Sequence, residues 1–431
     1  MLSEKDNELL TRVGPGTPMG DLFRRHWLPV LTSDELPEPD CPPKRLRILG
    51  EDLVAFRDTS GQPGILEAFC PHRRALLFWG RNEEHGLRCV YHGWKFDTSG
   101  RCVDMPSEPA ESTFKDRVSA RAYPARDQGG FVWVYMGPPD REPDLPKYEW
   151  TLVPDDYRQT RRWFQDSNWL QSLEGDIDTS HVSFLHRFFD TEAAPPPQFV
   201  PGYRRYVAQD KAPKLTVHET PYGFVYGGRR SIGEGRYYWR LTHWLAPSCS
   251  QIPGSSTRTA RVLVPIDDET TFSCSVVYST ERPLQDTERR APTGGADTIT
   301  LKDGCVIDAW LPEANRDNDY LIDRERQKTV NFSGLRSGPI DEDRAMTETM
   351  KPVVDRSTEH LGTTDVAIIA ARRRLLHMLR DLEQGVEPPA LRRPEAYAVR
   401  SVDVITTNAE FDAVLAEYAE ELASATRLVA R

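Results

Sequence analysis

Two short segments of the chain each contain one cysteine and one histidine at close spacing. The first reads "CPHR" and contributes Cys70 and His72, and the second reads "CVYH" and contributes Cys89 and His92. Thiolates and imidazoles are side chains that bind iron and zinc. The two segments therefore predict a metal site with two sulfur and two nitrogen ligands.

The order of these four ligands favours iron over zinc. Zinc fingers usually pair Cys with Cys and His with His along the chain, whereas here each segment supplies one of each. A Rieske [2Fe–2S] centre has one iron bound by two thiolates and the other by two imidazoles. Cys70 and Cys89 are then expected to hold the ferric iron, and His72 and His92 the iron that changes valence. A zinc-stabilised binding protein is the alternative, and it would be colourless and free of sulfide.

A second group of metal-binding side chains, in "EGDIDTSHVSFLH", has the spacing D-x2-H-x4-H and comprises Asp178, His181 and His186. At about 100° per residue, Asp178 and His181 share a helix face, but His186 lies about 140° from His181. The imidazoles can meet on one metal only if the helix is irregular there. Two histidines and one carboxylate leave open positions for dioxygen on a non-haem iron. The carboxylate comes from elsewhere in the chain, unless Asp178 is itself a third ligand.

The segments that position these motifs fall into two parts. From Leu28 to about Gly137, short alternating apolar runs separated by Gly, Pro and Asp indicate strands and turns. The Pro-rich stretch from Gly137 to Pro146 reads as a linker. Beyond it, strand-like segments mix with helical patterns. The helical patterns run from about Asn168 to Phe189, Glu342 to Leu361, Thr364 to Glu383 and Ala409 to Leu428.

These patterns predict an α+β protein. A lead-in of residues 1–27 is followed by an all-β domain of residues 28–145 that holds the first metal site. Residues 146–431 form a catalytic domain in which helices flank an antiparallel sheet and which holds the second metal site. A protein that only carried electrons would need little more than the all-β domain, so the large second part argues against that alternative.

Composition limits the partners of the chain. Its 431 residues carry a formal net charge of -11 without a basic stripe, which argues against nucleic acid. No apolar run approaches the roughly 20 residues that cross a bilayer, and the start lacks a signal-peptide pattern, so we expect a cytoplasmic protein without a membrane partner. No Gly-rich dinucleotide loop is evident, so electrons from a nicotinamide must come through another protein.

The chain resembles a known family in several segments. "CPHR" and "CVYHGWKFD" are similar to the Rieske domain of ring-hydroxylating oxygenase α subunits of the phthalate dioxygenase type, which includes aromatic O-demethylases. "MGDLFRRHWLPV", "NWLQSLEGDIDTSHVSFLH" and "VDRSTEHLG" resemble the same group. The resemblance implies a terminal oxygenase that uses O2 and NAD(P)H-derived electrons, delivered by a separate reductase or a ferredoxin. The implied reaction is hydroxylation or O-demethylation of an aromatic substrate, and the motifs do not separate the two.

The resemblance also implies roles for particular residues. The family's third iron ligand matches Asp343, with Asp341 as the fallback. Asp178 is expected to join His92 of one chain to His181 of the next, in a homotrimer or in a hexamer of two stacked trimers. Arg74 departs from the family pattern, which commonly has Gly after "CPHR".

The segment "RYYWR" is a candidate for substrate recognition. Its alternation places Arg236, Tyr238 and Arg240 on one face of a strand. Arg240 could bind a substrate carboxylate through two hydrogen bonds. The alternative is a surface ion pair beside a packed aromatic side chain.

Overall fold

Two short helices open the chain, which is described here from a computed structural model covering residues 2–193, 199–254, 256–289, 295–336 and 338–423. Helix α1 (Glu4–Thr11) and helix α2 (Pro18–Arg24) begin at Ser3 and Thr17, whose hydroxyls accept backbone N–H groups. The side chain of Trp169 donates to Leu10 O at 3.2 Å. The lead-in therefore packs against the helix that precedes the second metal motif.

A β-rich region of three small antiparallel sheets follows. The sheets are ordered β1-β11-β10, β2-β3-β4-β9 and β5-β6-β7-β8. The strands are β1 (Trp27–Thr32), β2 (Lys44–Ile48), β3 (Glu51–Arg57), β4 (Pro63–Glu67), β5 (Arg81–Glu83), β6 (Gly86–Arg88), β7 (Lys95–Phe96), β8 (Cys102–Asp104), β9 (Ala122–Tyr123), β10 (Ala125–Gln128) and β11 (Phe131–Tyr135).

The second part is built on one antiparallel sheet in the order β12-β18-β17-β16-β15-β14-β13, with β21 also paired to β15. The α+β prediction with an antiparallel catalytic sheet is thus confirmed. The strands are β12 (Arg158–Gln165), β13 (Lys214–Thr220), β14 (Gly223–Gly233), β15 (Arg236–Leu245), β16 (Cys249–Ile252), β17 (Arg258–Pro265), β18 (Thr271–Tyr278), the separate hairpin β19 (Gly295–Thr300) and β20 (Val306–Pro312), and β21 (Val402–Thr406).

Seven further helices within the described residues cover this sheet. They are α3 (Trp169–Asp176), α4 (Tyr203–Gln209), α5 (Arg324–Thr329), α6 (Pro339–Thr349), α7 (Val366–Glu383), α8 (Phe411–Glu417) and α9 (Ala419–Leu422). None of the helices in the described ranges is long and apolar enough to cross a membrane.

Helix α7 confirms the helix predicted from Thr364 to Glu383, whereas two other helical predictions were too long. Helix α3 ends at Asp176 instead of continuing to Phe189. Helix α6 ends at Thr349, shortly before Pro352, because a proline cannot continue a helix. The helical pattern predicted from Ala409 to Leu428 forms two helices, α8 and α9, and its last residues lie outside the described residues.

Ion pairs join the β-rich region to strands of the second part of the chain. Arg45 on β2 pairs with Asp308 on β20 at 2.7 Å. Arg162 on β12 is buried and pairs with Glu35, which follows β1, at 2.5 Å. These partly buried pairs are direct contacts between the two parts of the chain.

Candidate functional site

The two Cys-His segments form matching turns at one end of the β-rich region. In each turn the cysteine N–H donates to the carbonyl five residues later, and its carbonyl accepts from the N–H four residues later. The bonds are Cys70 N to Ala75 O at 2.8 Å, Arg74 N to Cys70 O at 2.9 Å, Cys89 N to Trp94 O at 2.8 Å and Gly93 N to Cys89 O at 2.9 Å. The same local geometry thus presents both Cys-His pairs.

The four side chains come together between these turns. The His72 and His92 rings lie 4.4 Å apart, and Trp94 stacks on His72 at 4.2 Å. Both cysteines are buried. Burial is the main reason that the pKa of the Cys70 thiol is raised to about 11, and the neighbouring Cys89 raises it further. His72 Nδ1 is buried without a hydrogen-bond partner in the described ranges. An unsatisfied imidazole nitrogen beside paired thiols fits a [2Fe–2S] cluster, which would satisfy all four groups.

Arg74 occupies the position that Gly93 occupies in the second turn. Both residues have a left-handed backbone, with φ of 59° at Arg74 and 79° at Gly93. The Arg74 side chain pairs with Glu67 at 2.6 Å and covers the ring of Phe69. These contacts offset part of the cost of left-handed backbone at a residue with a side chain.

The second motif brings three donor atoms to one point. Asp343 Oδ1 on α6 lies 3.1 Å from His186 Nε2 and 3.6 Å from His181 Nε2. The two imidazole Nε2 atoms lie 3.1 Å apart. Bonds of about 2.1 Å to one metal separate neighbouring ligand atoms by about 3 Å, so the spacing fits a metal bound by two histidines and a carboxylate.

The irregular backbone predicted between the two histidines is confirmed. Helix α3 stops at Asp176, and a single 3₁₀ turn covers His181–Ser183. Arg230 on β14 is fully buried and donates to Thr179 O at 2.6 Å and Ser183 Oγ at 3.3 Å. This guanidinium links the turn to the sheet by hydrogen bonds. The sequence pattern did not predict that contact.

Asp178 contacts the outer nitrogen of His181 rather than the three-donor group. Its Oδ2 lies 3.4 Å from His181 Nδ1, and its Oδ1 accepts the Ser180 N–H at 2.6 Å. Burial opposes the charge of this carboxyl, but the His181 contacts outweigh it and hold the pKa of Asp178 below its usual value. This position fits a carboxylate that orients a metal-binding imidazole.

His186 has an equivalent carboxylate, which the sequence pattern did not predict. Glu342 is buried, and its Oε2 lies 2.7 Å from His186 Nδ1. The other oxygen, Oε1, accepts from Asn331 Nδ2 at 3.3 Å. Burial disfavours protonation of His186, but Asp343 and Glu342 outweigh it and raise its pKa to about 10. Glu342 directly precedes Asp343, and this position next to a predicted iron ligand was the only sequence feature that could have indicated its role.

Asp341, the fallback ligand, does not lie among the donors. Its Oδ1 accepts from the buried Arg344 at 3.1 Å. The three-donor group in the described residues is His181, His186 and Asp343, with donor atoms within 4.8 Å of one another.

A cavity of about 930 Å³ opens onto this group. Asp178, His181 and Asp343 form part of its wall. Near its mouth lie exposed apolar side chains, which are Phe184, Phe332, Met346 and Met350. An apolar collar of this kind is typical of a surface that meets another protein.

Arg240 lies on the sheet beside the turn and not at the protein surface. It is 5% exposed, and its guanidinium covers the rings of Phe199 and Tyr203. Its Nη1 donates to the Tyr203 hydroxyl at 3.2 Å, and Arg240 forms no ion pair with a carboxylate of the described residues. The alternative of a surface ion pair is therefore wrong.

Comparison with known proteins agrees with this architecture. The Rieske [2Fe-2S] domain family matches residues 26–123, and the "LigXa C-terminal domain like" family matches residues 134–416. The 3-chlorobenzoate-3,4-dioxygenase oxygenase subunit of Comamonas testosteroni is 42% identical, over 92% of this chain and 93% of the relative. The phthalate 4,5-dioxygenase oxygenase subunit of Pseudomonas putida is 40% identical, over 89% of this chain and 88% of the relative.

A further relative and two solved structures extend the comparison. The 5,5'-dehydrodivanillate O-demethylase oxygenase subunit of a Sphingobium species is 31% identical, over 92% of this chain and 85% of the relative. Dicamba monooxygenase has a TM-score of 0.58 at 17% identity, over 84% of this chain and 98% of that chain. The oxygenase of carbazole 1,9a-dioxygenase, solved with its ferredoxin, has a TM-score of 0.52 at 20% identity, over 86% of this chain and 93% of that chain.

The fold and the two sites define a Rieske non-haem iron oxygenase. The chain belongs to the phthalate dioxygenase type of oxygenase subunits, and its cofactors are a Rieske [2Fe–2S] cluster and a mononuclear iron.

Proposed function

We propose that the chain is the terminal oxygenase of a multicomponent system that oxidises an aromatic carboxylate with O2. The observation that carries this is the grouping of His181, His186 and Asp343 in the same chain as the Cys-His turns. When bound, the cluster supplies single electrons and the mononuclear iron activates dioxygen. A protein that only carried electrons would have no use for the second site.

The ligand assignments are part of this proposal. Cys70, His72, Cys89 and His92 hold the cluster. His181, His186 and Asp343 hold the mononuclear iron through Nε2, Nε2 and a carboxylate oxygen. The contacts of Asp178 and Glu342 with the outer nitrogens support this, because a carboxylate there fixes the tautomer and orientation of each ring.

Arg240 binds the substrate carboxylate in this proposal. Its guanidinium is buried and donates to the neutral Tyr203 hydroxyl, so no counter-charge is hydrogen-bonded to it. An aromatic acid would supply that charge, and the rings of Phe199 and Tyr203 beside Arg240 would pack against the substrate ring. Hydroxylation and O-demethylation then differ in which substrate atom faces the iron.

The oxygenase works as a homotrimer, alone or as two stacked trimers, in which each cluster meets the next chain's mononuclear iron. The end of the β-rich region exposes Trp79, Val90 and Tyr91, with exposed fractions of 67%, 59% and 55%. The mouth of the cavity exposes its own apolar collar. Joining the two surfaces head to tail would bury both and close a ring. Asp178 would then bridge His181 to His92 of the neighbouring chain.

The electrons come from NAD(P)H through a separate reductase or a ferredoxin, in the cytoplasm. The relatives named above are oxygenase subunits, and one solved structure of the same fold is a complex with ferredoxin. This chain has neither a nucleotide loop nor a flavin motif.

A turnover screen tests the proposal. Protein with both metals is incubated with O2, NADH and a surrogate reductase on benzoates, phthalate and methoxybenzoates. The products separate the reactions, because ring dihydroxylation gives a cis-diol and O-demethylation gives formaldehyde. Arg240→Gln should raise KM for every aromatic acid that the wild-type enzyme oxidises. If protein with both metals bound oxidises none of these aromatic acids in the presence of NADH and the reductase, the proposed function is refuted.

A further inference from the structure

Arg240 has a buried acidic neighbour that it does not bind. Strand β21 pairs with β15, and in this register Asp403 stands directly opposite Arg240. Each residue is 5% exposed. The side chains of directly opposed residues start about 5 Å apart, so an ion pair between them is within easy reach.

Arg240 and Asp403 instead form hydrogen bonds with neutral partners. Arg240 donates from Nη1 to the Tyr203 hydroxyl, while Asp403 Oδ2 accepts from Tyr238 Oη and from Val200 N, all at 3.2 Å. Arg240 Nε and Asp403 Oδ1 have no hydrogen-bond partner in the described part of the chain. An unpaired donor and an unpaired acceptor, both buried, thus lie on the same face of the sheet at directly opposed positions.

This part of the sheet face adjoins the turn that carries His181. Arg230 on β14 stands opposite Tyr238, two residues along β15 from Arg240 and so on the same sheet face, and it donates to Thr179 O. Gly228 stands opposite Arg240 on β14, where an added Cβ would lie 2.6 Å from Thr179 Cγ2. The absent side chain lets the turn approach the sheet beside Arg240.

The charged side chains on this part of the sheet face admit a single anionic group. Arg230 is committed to neutral oxygens of the turn and of Asp210. Arg240 offers one cation, and Asp403 places a carboxylate next to it. A second anionic group on the substrate would meet Asp403 in a buried setting, where like charges repel strongly.

We propose that Asp403 is a specificity residue that selects aromatic monocarboxylates over dicarboxylates. Arg240 takes the carboxylate, and Asp403 Oδ1 accepts a hydrogen bond from a neutral donor on the ring, such as a hydroxyl. This inference rests on the proposed function, because it assumes that Arg240 binds the substrate carboxylate.

Binding measurements test it without relying on turnover. The anaerobic holoenzyme is titrated by calorimetry with benzoate, 3-hydroxybenzoate and phthalate. Wild type should bind the two monocarboxylates at least about tenfold more tightly than phthalate. In Asp403→Asn this ratio should fall by about tenfold or more, since a like charge has been removed.

Two further variants make the test specific. Asp403→Ser keeps an acceptor for Tyr238 Oη and Val200 N, and should also lower the ratio if Asp403→Asn does not fold. Glu417→Gln removes an exposed carboxylate that accepts from Thr406 at the end of the same strand, and should keep the wild-type ratio.

The outcomes separate this inference from the proposed function. An unchanged ratio in folded Asp403 variants, or a wild type that prefers phthalate, would overturn the role of Asp403 alone. If wild type binds none of the three acids, or if Arg240→Gln binds them as wild type does, carboxylate recognition by Arg240 fails and the specificity role fails with it.

Discussion

Glu342 Oε2 lies 2.7 Å from His186 Nδ1, on the side of the ring opposite the three-donor group. Asp178 holds the corresponding position on His181. Each imidazole thus lies between Asp343 on its inner side and a further carboxylate on its outer side. The outer carboxylates orient the rings and increase the negative charge around the site, which favours a divalent cation.

Glu342 should control iron affinity. Glu342→Gln keeps the size of the side chain but removes the charge that faces His186, so iron should bind about 10- to 100-fold more weakly. Chelator titration followed by iron analysis measures this. Glu342→Asp should recover part of the affinity, and an unchanged iron affinity in Glu342→Gln would assign the residue a purely structural role.

The two neighbouring aspartates on α6 should behave differently. Asp343→Ala should lose the mononuclear iron and abolish turnover, and the cluster absorption should persist because the cluster has its own ligands. Asp341→Asn is the matched control. It weakens the buried pair with Arg344 and so lowers stability, but it should keep the iron. Iron retained in Asp343→Ala and lost in Asp341→Asn would reverse the assignment.

Asp178 should govern electron transfer between chains. Asp178→Asn keeps the shape but removes the charge beside His181, so oxidation of a pre-reduced cluster after addition of O2 and substrate should slow by about a hundredfold or more. Reduction of the cluster by the donor protein should be nearly unchanged. Single-turnover absorbance measures both steps. A wild-type oxidation rate in this variant, or a fully active monomer in sedimentation, would contradict the bridging role.

Arg74 should tolerate glycine but not a β-branched residue. Arg74→Gly removes a left-handed strain of about 1–2 kcal/mol. It also loses an exposed ion pair and a cation–π contact, together worth about 1–2 kcal/mol, so the two effects nearly cancel. Arg74→Val keeps the strain and loses the contacts, and should therefore lower the unfolding temperature and the yield of cluster. Thermal unfolding and sulfide analysis check both variants, and equal stability of the Gly and Val variants would show that the φ angle is not limiting.

Glu174 should make folding sensitive to acid. Burial alone would raise its pKa, but Arg356 and Arg372 outweigh burial and hold the pKa of Glu174 below its usual value. The carboxylate therefore stabilises the fold above pH about 4, and this contribution disappears as pH falls through the lowered pKa. Glu174→Gln should lower the free energy of unfolding by about 3–5 kcal/mol at pH 7 and by progressively less as the pH falls below about 4. Denaturant midpoints at pH 7 and over a series of values below about pH 4 test this, with the exposed Glu325→Gln as a control that should change little.

The sequence by itself determined the ligand types and the local distortion at both sites. Cys70, His72, Cys89 and His92 lie within short turns, so their spacing alone predicts a shared metal centre. The angle between His181 and His186 on a regular helix required a break, and the structure has one after Asp176. Short-range geometry of this kind follows from the residues between the ligands.

Only the tertiary structure decided which distant groups complete the sites. Glu342 and Asp343 are adjacent in the sequence, and the placement of α6 against the turn brings both to His186. Arg240 sits opposite Asp403 because a strand from the C-terminal part of the chain pairs with β15. Such pairings depend on how the whole sheet and its helices bury their apolar faces, and the residues around each site do not specify them.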